Sequence, residues 1–241
     1  MLPKTVIFAF CSTFLLVTIH FPFLSSMREP ITFENIEPQK YHKTCQLYNV
    51  VTNQGCNFMG IETLTKDSAV EINIQTGPFL NTLLHTAIIR KYPIQSESIV
   101  ISIINALLEN KSVNLVLTNN EGNTPLHSAI EERYFIVAKI LIQTMIERNF
   151  DLNTQNKNGD TALHLATKYN QIALIAQLLQ APNIQINLPN NAHKTATDLA
   201  SDFGFKQIEN LLIQHDGIFT EGHAVSRVNS EQFGEIFPMD L

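Results

Sequence analysis

The sequence predicts an all-α solenoid of about four helix–turn–helix repeats behind an N-terminal hydrophobic leader. Three observations carry this reading. A six-residue motif returns four times at near-constant spacing. Each copy is followed by an apolar run with the three- and four-residue steps of a helix buried on one face. A turn-rich stretch then leads to the next copy. Composition agrees: 44% of the 241 residues are hydrophobic and 16% charged. That is enough apolar surface for a core and too much for wholesale disorder. The net charge of −6, with its 16 basic residues scattered, excludes a nucleic-acid protein, which needs a concentrated Lys/Arg surface.

Residues 1–26 come first and read as a signal peptide or a membrane anchor. Lys4 gives a positive start, and Val6 to Ile19 is mostly apolar. Those positions span about 21 Å as a helix, short of the roughly 30 Å hydrocarbon core, which suits a secretory signal. Extension to Leu24 nearly completes a span but takes in His20 and Pro22. Cleavage after Ser25 or Ser26 would put Phe23 or Leu24 where a small residue is wanted. Both readings predict a protein that is exported (periplasmic or secreted) or held to a membrane by this segment alone. An ordinary buried helix is the bland alternative; the absence of acidic residues counts against it.

Residues 27–71 form a poorly defined N-terminal segment. After export, Cys45 and Cys56 would see an oxidising compartment. Their disulfide would close a loop of about a dozen residues, worth roughly 3 kcal/mol. Two free thiols are the alternative. Cys11 lies in the leader, and no C-x-x-C pair supports a zinc ribbon or a redox motif.

The repeats occupy residues 72–216. The motif copies are Thr82 to Ala87, Thr124 to Ala129, Thr161 to Ala166 and Thr195 to Ala200, their threonines 42, 37 and 34 residues apart. The apolar runs are Ile99 to Leu108, Phe135 to Ile146, Ile172 to Leu179 and Ile208 to Ile213. A hydrophobic–Asn pair follows each of the first three: Val113-Asn114, Leu152-Asn153 and Ile186-Asn187. Gly122 and Gly159 stand two residues before their threonines, where a tight turn uses positive φ. A threonine before Pro125 suits a helix N-cap with Pro in the first turn. A unit of this size cannot bury both its helices alone, so the repeats must stack. Residues 217–241 are a C-terminal tail, frayed or folded back through Phe219, Phe233 and Phe237.

With Thr124-Pro-Leu-His-Ser-Ala129 as the full motif and two near copies, the chain resembles the ankyrin-repeat family from about Ile72 to Gln214. The fourth copy lacks Pro and His, and looks like a capping repeat. The resemblance implies an ankyrin-repeat solenoid whose concave face, made of turn tips and first helices, binds an unidentified protein. By register the tip residues are Asn120, Glu121 and Asn123; Lys157, Asn158 and Asp160; and Asn191, His193 and Lys194. The helix residues are Glu131 and Glu132, Lys168 and Tyr169, and Asp202 and Phe203, extended into the first unit by Pro78, Phe79, Ile89 and Arg90. It also implies that His85, His127 and His164 are structural, bonding turn and backbone groups of the adjoining unit, rather than a metal or acid–base ladder.

No H-E-x-x-H, G-x-S-x-G, phosphate-loop or dinucleotide fingerprint is present, and no cofactor or metal is expected. A non-catalytic binding module is the first reading. The alternatives are a thiol enzyme built on Cys45 and His42, and a structural spacer without a specific ligand.

Overall fold

In the computed structural model, the residues described are 43, 44, 46, 47, 51, 63–67, 70–76, 78–89 and 97–220. The leader, Cys45, Cys56, His42, Arg90 and the tail beyond Thr220 lie outside them. Among the described residues from 83 on, eight helices follow in pairs. Layer 1 holds α1 (Leu83–Ile89) and α2 (Glu97–Glu109), and layer 2 holds α3 (Pro125–Glu131) and α4 (Phe135–Glu147). Layer 3 holds α5 (Ala162–Lys168) and α6 (Ile172–Leu178), and layer 4 holds α7 (Ala196–Asp202) and α8 (Lys206–Gln214). The first helices pack in one column, α1 on α3 on α5 on α7, and the second helices in another. That is the stacked solenoid the period predicts.

Each first helix starts at its motif threonine. Thr124, Thr161 and Thr195 have extended backbones, and each side chain accepts the N–H of the residue three on. That third residue reaches back to the threonine N–H, closing a capping box. The motif alanines sit where first helices meet: Ala87 is 2% exposed, and Ala129, Ala166 and Ala200 are fully buried. Each inner first helix ends in a left-handed residue that turns the chain into the second helix: Arg133, Asn170 and Gly204, at φ 63°, 55° and 71°. Asn170 and Gly204 are residue types that tolerate this φ; Arg133 is held there by the bonds of Arg133 and Tyr134 N–H to Ile130 and Ala129 carbonyls.

The core runs through all layers without a break. Ile88, Ile104, Leu107, Ile130, Leu141, Ile142, Leu174, Ile175, Ile208 and Leu212 have essentially no exposed surface, each contributing roughly 1.5–3 kcal/mol by burial. The packed region begins upstream of residue 72. Leu47, Val51 and Val70 join the same cluster, and the Thr44 hydroxyl accepts the Glu71 N–H at 2.9 Å. At the other end it extends past 216: Gly217 is buried, and a side chain there would come within 2.7 Å of the Leu212 carbonyl.

Asparagines staple the layers along the loops. Asn73, Asn153 and Asn187 each accept an amide N–H from the segment that follows the next pair of helices, of Asn114, Gln185 and Ile218. Each also donates its Nδ2 to a carbonyl two residues before that amide. The Asn73 staple shows that the segment before the first motif already follows the geometry of the repeats.

Candidate protein-binding face

Between layers, the chain projects as turns, here called fingers: Thr76–Asn81, Asn119–Asn123, Asn156–Asp160 and Asn190–Lys194. Fingers 2 to 4 share one construction. The Oδ1 of Asn119, Asn156 and Asn190 accepts two amide N–H groups of its own turn, at 2.9–3.1 Å. The fingers then stack by backbone bonds: Asn120 N–H to Phe79 O, Lys157 N–H to Glu121 O and Asn191 N–H to Asn158 O, at 2.8–3.0 Å. The stacking is tight enough to exclude a side chain at Gly159, whose φ is 74° and whose added Cβ would lie 2.5 Å from Asn191 N.

The three histidines occupy equivalent places beneath the fingers. In each, Nδ1 lies 2.7–2.8 Å from its own threonine hydroxyl. Nε2 meets the carbonyl of Asn123, Asp160 or Lys194 in the next layer at 2.8, 3.1 and 3.0 Å. Both ring nitrogens are therefore occupied. Nδ1 also accepts the threonine N–H, so the ring is neutral with its proton on Nε2. Burial holds His85 and His127 down at about 4 and lowers His164 in the same direction, against the pull of the facing carbonyls. Among the described residues, no group of three or more His, Cys, Asp or Glu is placed to hold a metal. In layer 4, Asp198 replaces the histidine: its Oδ2 accepts the Thr195 N–H at 2.8 Å, and both oxygens face the Thr220 N–H at 3.1 and 3.3 Å.

Two of the residues read from sequence as partner-facing are corrected by the structure. Asn123 and Asp160 are 3% and 1% exposed. They sit at equivalent positions inside the stack, where Asn156 Nδ2 donates to Asn123 Oδ1 and Asn190 Nδ2 to Asp160 Oδ1, at 3.0 and 2.9 Å. Asp160, expected at the partner-facing tip, is instead a buried member of an ion pair with Lys168 at 2.5 Å. The sequence signal for this ladder was present. Asparagine recurs five residues before Thr124, Thr161 and Thr195, and Asn or Asp stands one before Thr82, Thr124 and Thr161.

The remaining candidates line one face. Glu121, Lys157, Asn158, Asn191 and His193 are exposed tips, and Asn120 is half-buried against finger 1. Glu131 and Glu132 are half-buried at the end of α3; Glu131 accepts from Asn123 Nδ2 at 2.8 Å. Burial first, and then the charge of Glu121, raises its carboxyl above the usual range. Lys194 pairs with Asp202 at 2.5 Å. The half-buried Tyr169 ring lies 5.4 Å from the Arg133 guanidinium, a cation–π contact between layers. Phe203, half exposed, stacks on Phe205 at 5.6 Å. Pro78 and Phe79 are exposed on finger 1, and Ile89 is half-buried.

Sequence comparison now decides the family. A profile of ankyrin repeats in many copies matches residues 107–166, and a profile of three ankyrin repeats matches residues 141–221. The chain is an ankyrin-repeat protein. It is similar to alpha-latrotoxin-Lg1a of Latrodectus geometricus, 33% identical over 119 residues, which is 49% of this chain and 8% of the toxin. It is 29% identical over 120 residues to the transient receptor potential cation channel subfamily A member 1 of Homo sapiens, covering 50% of this chain and 10% of the channel. The I-Kappa-B like protein G2 of Microplitis demolitor bracovirus is 35% identical over 74 residues, 30% of this chain and 44% of that protein. The chain thus spans less than half the length of each of these relatives, and the likeness lies in the repeats. Ankyrin repeats generally bind proteins, and finger tips with first helices form the concave face of the family.

Proposed function

We propose that this ankyrin-repeat protein is a non-catalytic module that docks a partner protein on its concave face. The observation that carries the reading is the division of labour among polar residues. Each layer buries its capping threonine and the residue three on, and fingers 2 to 4 bury the asparagine that holds the turn, yet Glu121, Lys157, Asn158, Asn191 and Phe203 stay exposed. Their charge changes sign from layer 2 to layer 3, and Phe203 supplies an aromatic anchor of the type that dominates interfaces. The leader reading is part of the same proposal: residues 1–26 carry the composition of a signal peptide or anchor, so partner and module meet outside the cytosol or at a membrane. No helix among the described residues is long and apolar enough to cross a membrane.

The test is site-specific photo-crosslinking of the full chain in its native cells. A crosslinker at Lys157 or Asn191, on the tips, is expected to trap a discrete protein adduct. The same group at Lys139 or Gln207, exposed on second helices, is expected to trap none. Adducts formed chiefly from Lys139 or Gln207 would move the binding face to the opposite side and end this reading.

A further inference from the structure

Finger 1 departs from the others in a way that stacking does not require. Five residues before its capping threonine it has Gly77, where fingers 2 to 4 have the asparagine that holds two turn amides. Its backbone pairing moves one residue outward: Thr76 and Asn81 exchange N–H···O bonds of 3.0 and 3.2 Å. The tip is longer by one residue. At the place where Gly122, Gly159 and His193 adopt φ 75°, 74° and 57°, finger 1 carries Leu80 at φ 52°, the one apolar side chain at this position in the four fingers. A side chain in this left-handed region costs about 1–2 kcal/mol. Leu80 is nonetheless 42% exposed, and Phe79 beside it 55%. Two apolar side chains are thus held in water on a strained turn, an arrangement typical of ligand-contacting sites.

Finger 2 docks directly on this tip, through Asn120 N–H to Phe79 O at 2.8 Å and Asn120 Nδ2 to Pro78 O at 3.1 Å. On its other side lies a cleft of about 290 Å³ lined by Glu121, Asn123, Glu131, Asn156, Lys157 and Asn158. Comparison with the next layers shows what this cleft lacks. Layers 3 and 4 pair the residue before the threonine with the residue seven after it as acid and base: Asp160 with Lys168, and Lys194 with Asp202. In layer 2 the same two positions hold Asn123 and Glu131, bonded at 2.8 Å. The acid is bonded to an amide in place of a cation, Lys157 of the cleft lining not being its bonded partner, and Glu121 Oε2 lies 3.5 Å from that same amide.

We propose that Phe79 and Leu80, together with the Glu121–Glu131 cleft, form the anchoring end of the binding face, and that the partner is a protein segment presenting an apolar side chain to finger 1 and a Lys or Arg to the cleft. The apolar contact offsets the cost of the exposed tip, and the cation completes in trans the pair that layers 3 and 4 complete in cis. The proposal rests on the concave-face reading.

The experiment is selection of a random-peptide phage library on the full chain, followed by titration of the winning peptides. Winners are expected to carry Lys or Arg within a few residues of Leu, Ile, Phe or Met. Leu80→Gly, which suits the φ, should leave the melting temperature unchanged or higher and weaken these peptides by about tenfold, equivalent to 1.4 kcal/mol. Glu131→Gln keeps an acceptor for Asn123 and should abolish the preference for basic peptides. Winners without a basic residue, or undiminished binding by both variants, would overturn the proposal. If winners are instead weakened by Asn191→Lys or Phe203→Ser, the anchor is elsewhere on the same face and the function above survives. Winners indifferent to all four substitutions would sink both.

Discussion

Layers 3 and 4 begin in the same way and end differently. Thr161 and Thr195 both cap a seven-residue helix through the residue three on. In layer 3 that residue is His164, which has a second nitrogen to spend and sends it to the Lys194 carbonyl of the next layer. In layer 4 it is Asp198, whose oxygens only accept, and which receives the Thr220 amide instead. A neutral imidazole is a donor at one end and an acceptor at the other, so it passes the stack on. A carboxylate closes it. One side chain per layer thus decides whether a further repeat is invited, and the buried cost of each choice can be measured.

The largest expected effect is that of acid on the histidine layers. Burial keeps His85 and His127 neutral down to about pH 4, while the unfolded chain protonates them near its ordinary 6.5. Between these values the unfolded state binds more protons, so stability rises with pH there and is lost as pH falls from 6.5 towards 4. Each of the two contributes about 3 kcal/mol to that loss at 1.36 kcal/mol per unit, together on the scale of a whole domain's stability. His164 acts in the same sense. Glu131, whose carboxyl is raised, acts in the opposite sense and offsets a part. Urea unfolding at pH 7, 5.5 and 4.5 should show a falling midpoint, and His127→Gln should flatten the slope. A midpoint independent of pH over this range would mean the rings are not held neutral.

Exchanging the two chemistries is the next test. His127→Asp should cost about 3–5 kcal/mol: it removes the donor from the buried Asp160 carbonyl and places an acidic oxygen against it. Asp198→His should cost less, about 1–2 kcal/mol, because its conflict is with a single amide, that of Thr220. The midpoints of thermal and urea unfolding give both values. Equal costs would show that the last layer is no cap but an ordinary member of the array.

The period, the helices and the column contacts were legible in the sequence because each rests on a local rule that recurs: a threonine that caps, an alanine that permits approach, an apolar face every three or four residues. Glycines 122 and 159 were legible for the same reason, since their φ belongs to the turn, whereas the crowding at each comes from the next finger. Asn123 and Asp160 were misread because polarity in a turn normally means solvent, and here the next finger lies across it. Their burial is a property of two layers at once, and a single turn does not display it. Leu80 and Arg133 in left-handed conformations were not legible at all, since neither residue type prefers that region and only the bonds around them impose it. The face itself was half legible: register gave the tips, while the ion pairs that neutralise Lys168 and Lys194 could be found only in three dimensions.

Those ion pairs supply the finest comparison between layers 3 and 4. Asp160 is 1% exposed and its partner Lys168 33%, whereas Asp202 and Lys194 are 29% and 43% exposed, at the same 2.5 Å separation. Lys168→Met leaves a carboxylate in the interior with only the Asn190 amide to face it. The expected loss is about 2 kcal/mol, below the 3–5 kcal/mol of a fully buried pair because the lysine end is wet. Lys194→Met strands nothing, since water replaces the ammonium, and should cost no more than about 0.5 kcal/mol. Unfolding midpoints at low and high salt separate the two: the layer 4 change should vanish in high salt, while that in layer 3 should persist, because salt screens exposed charges and hardly reaches buried ones. If both variants proved equally mild, the Asp160 carboxylate would be drawing its stability from the Asn190 amide alone, and the ladder of asparagines, rather than charge pairing, would be what makes its burial tolerable.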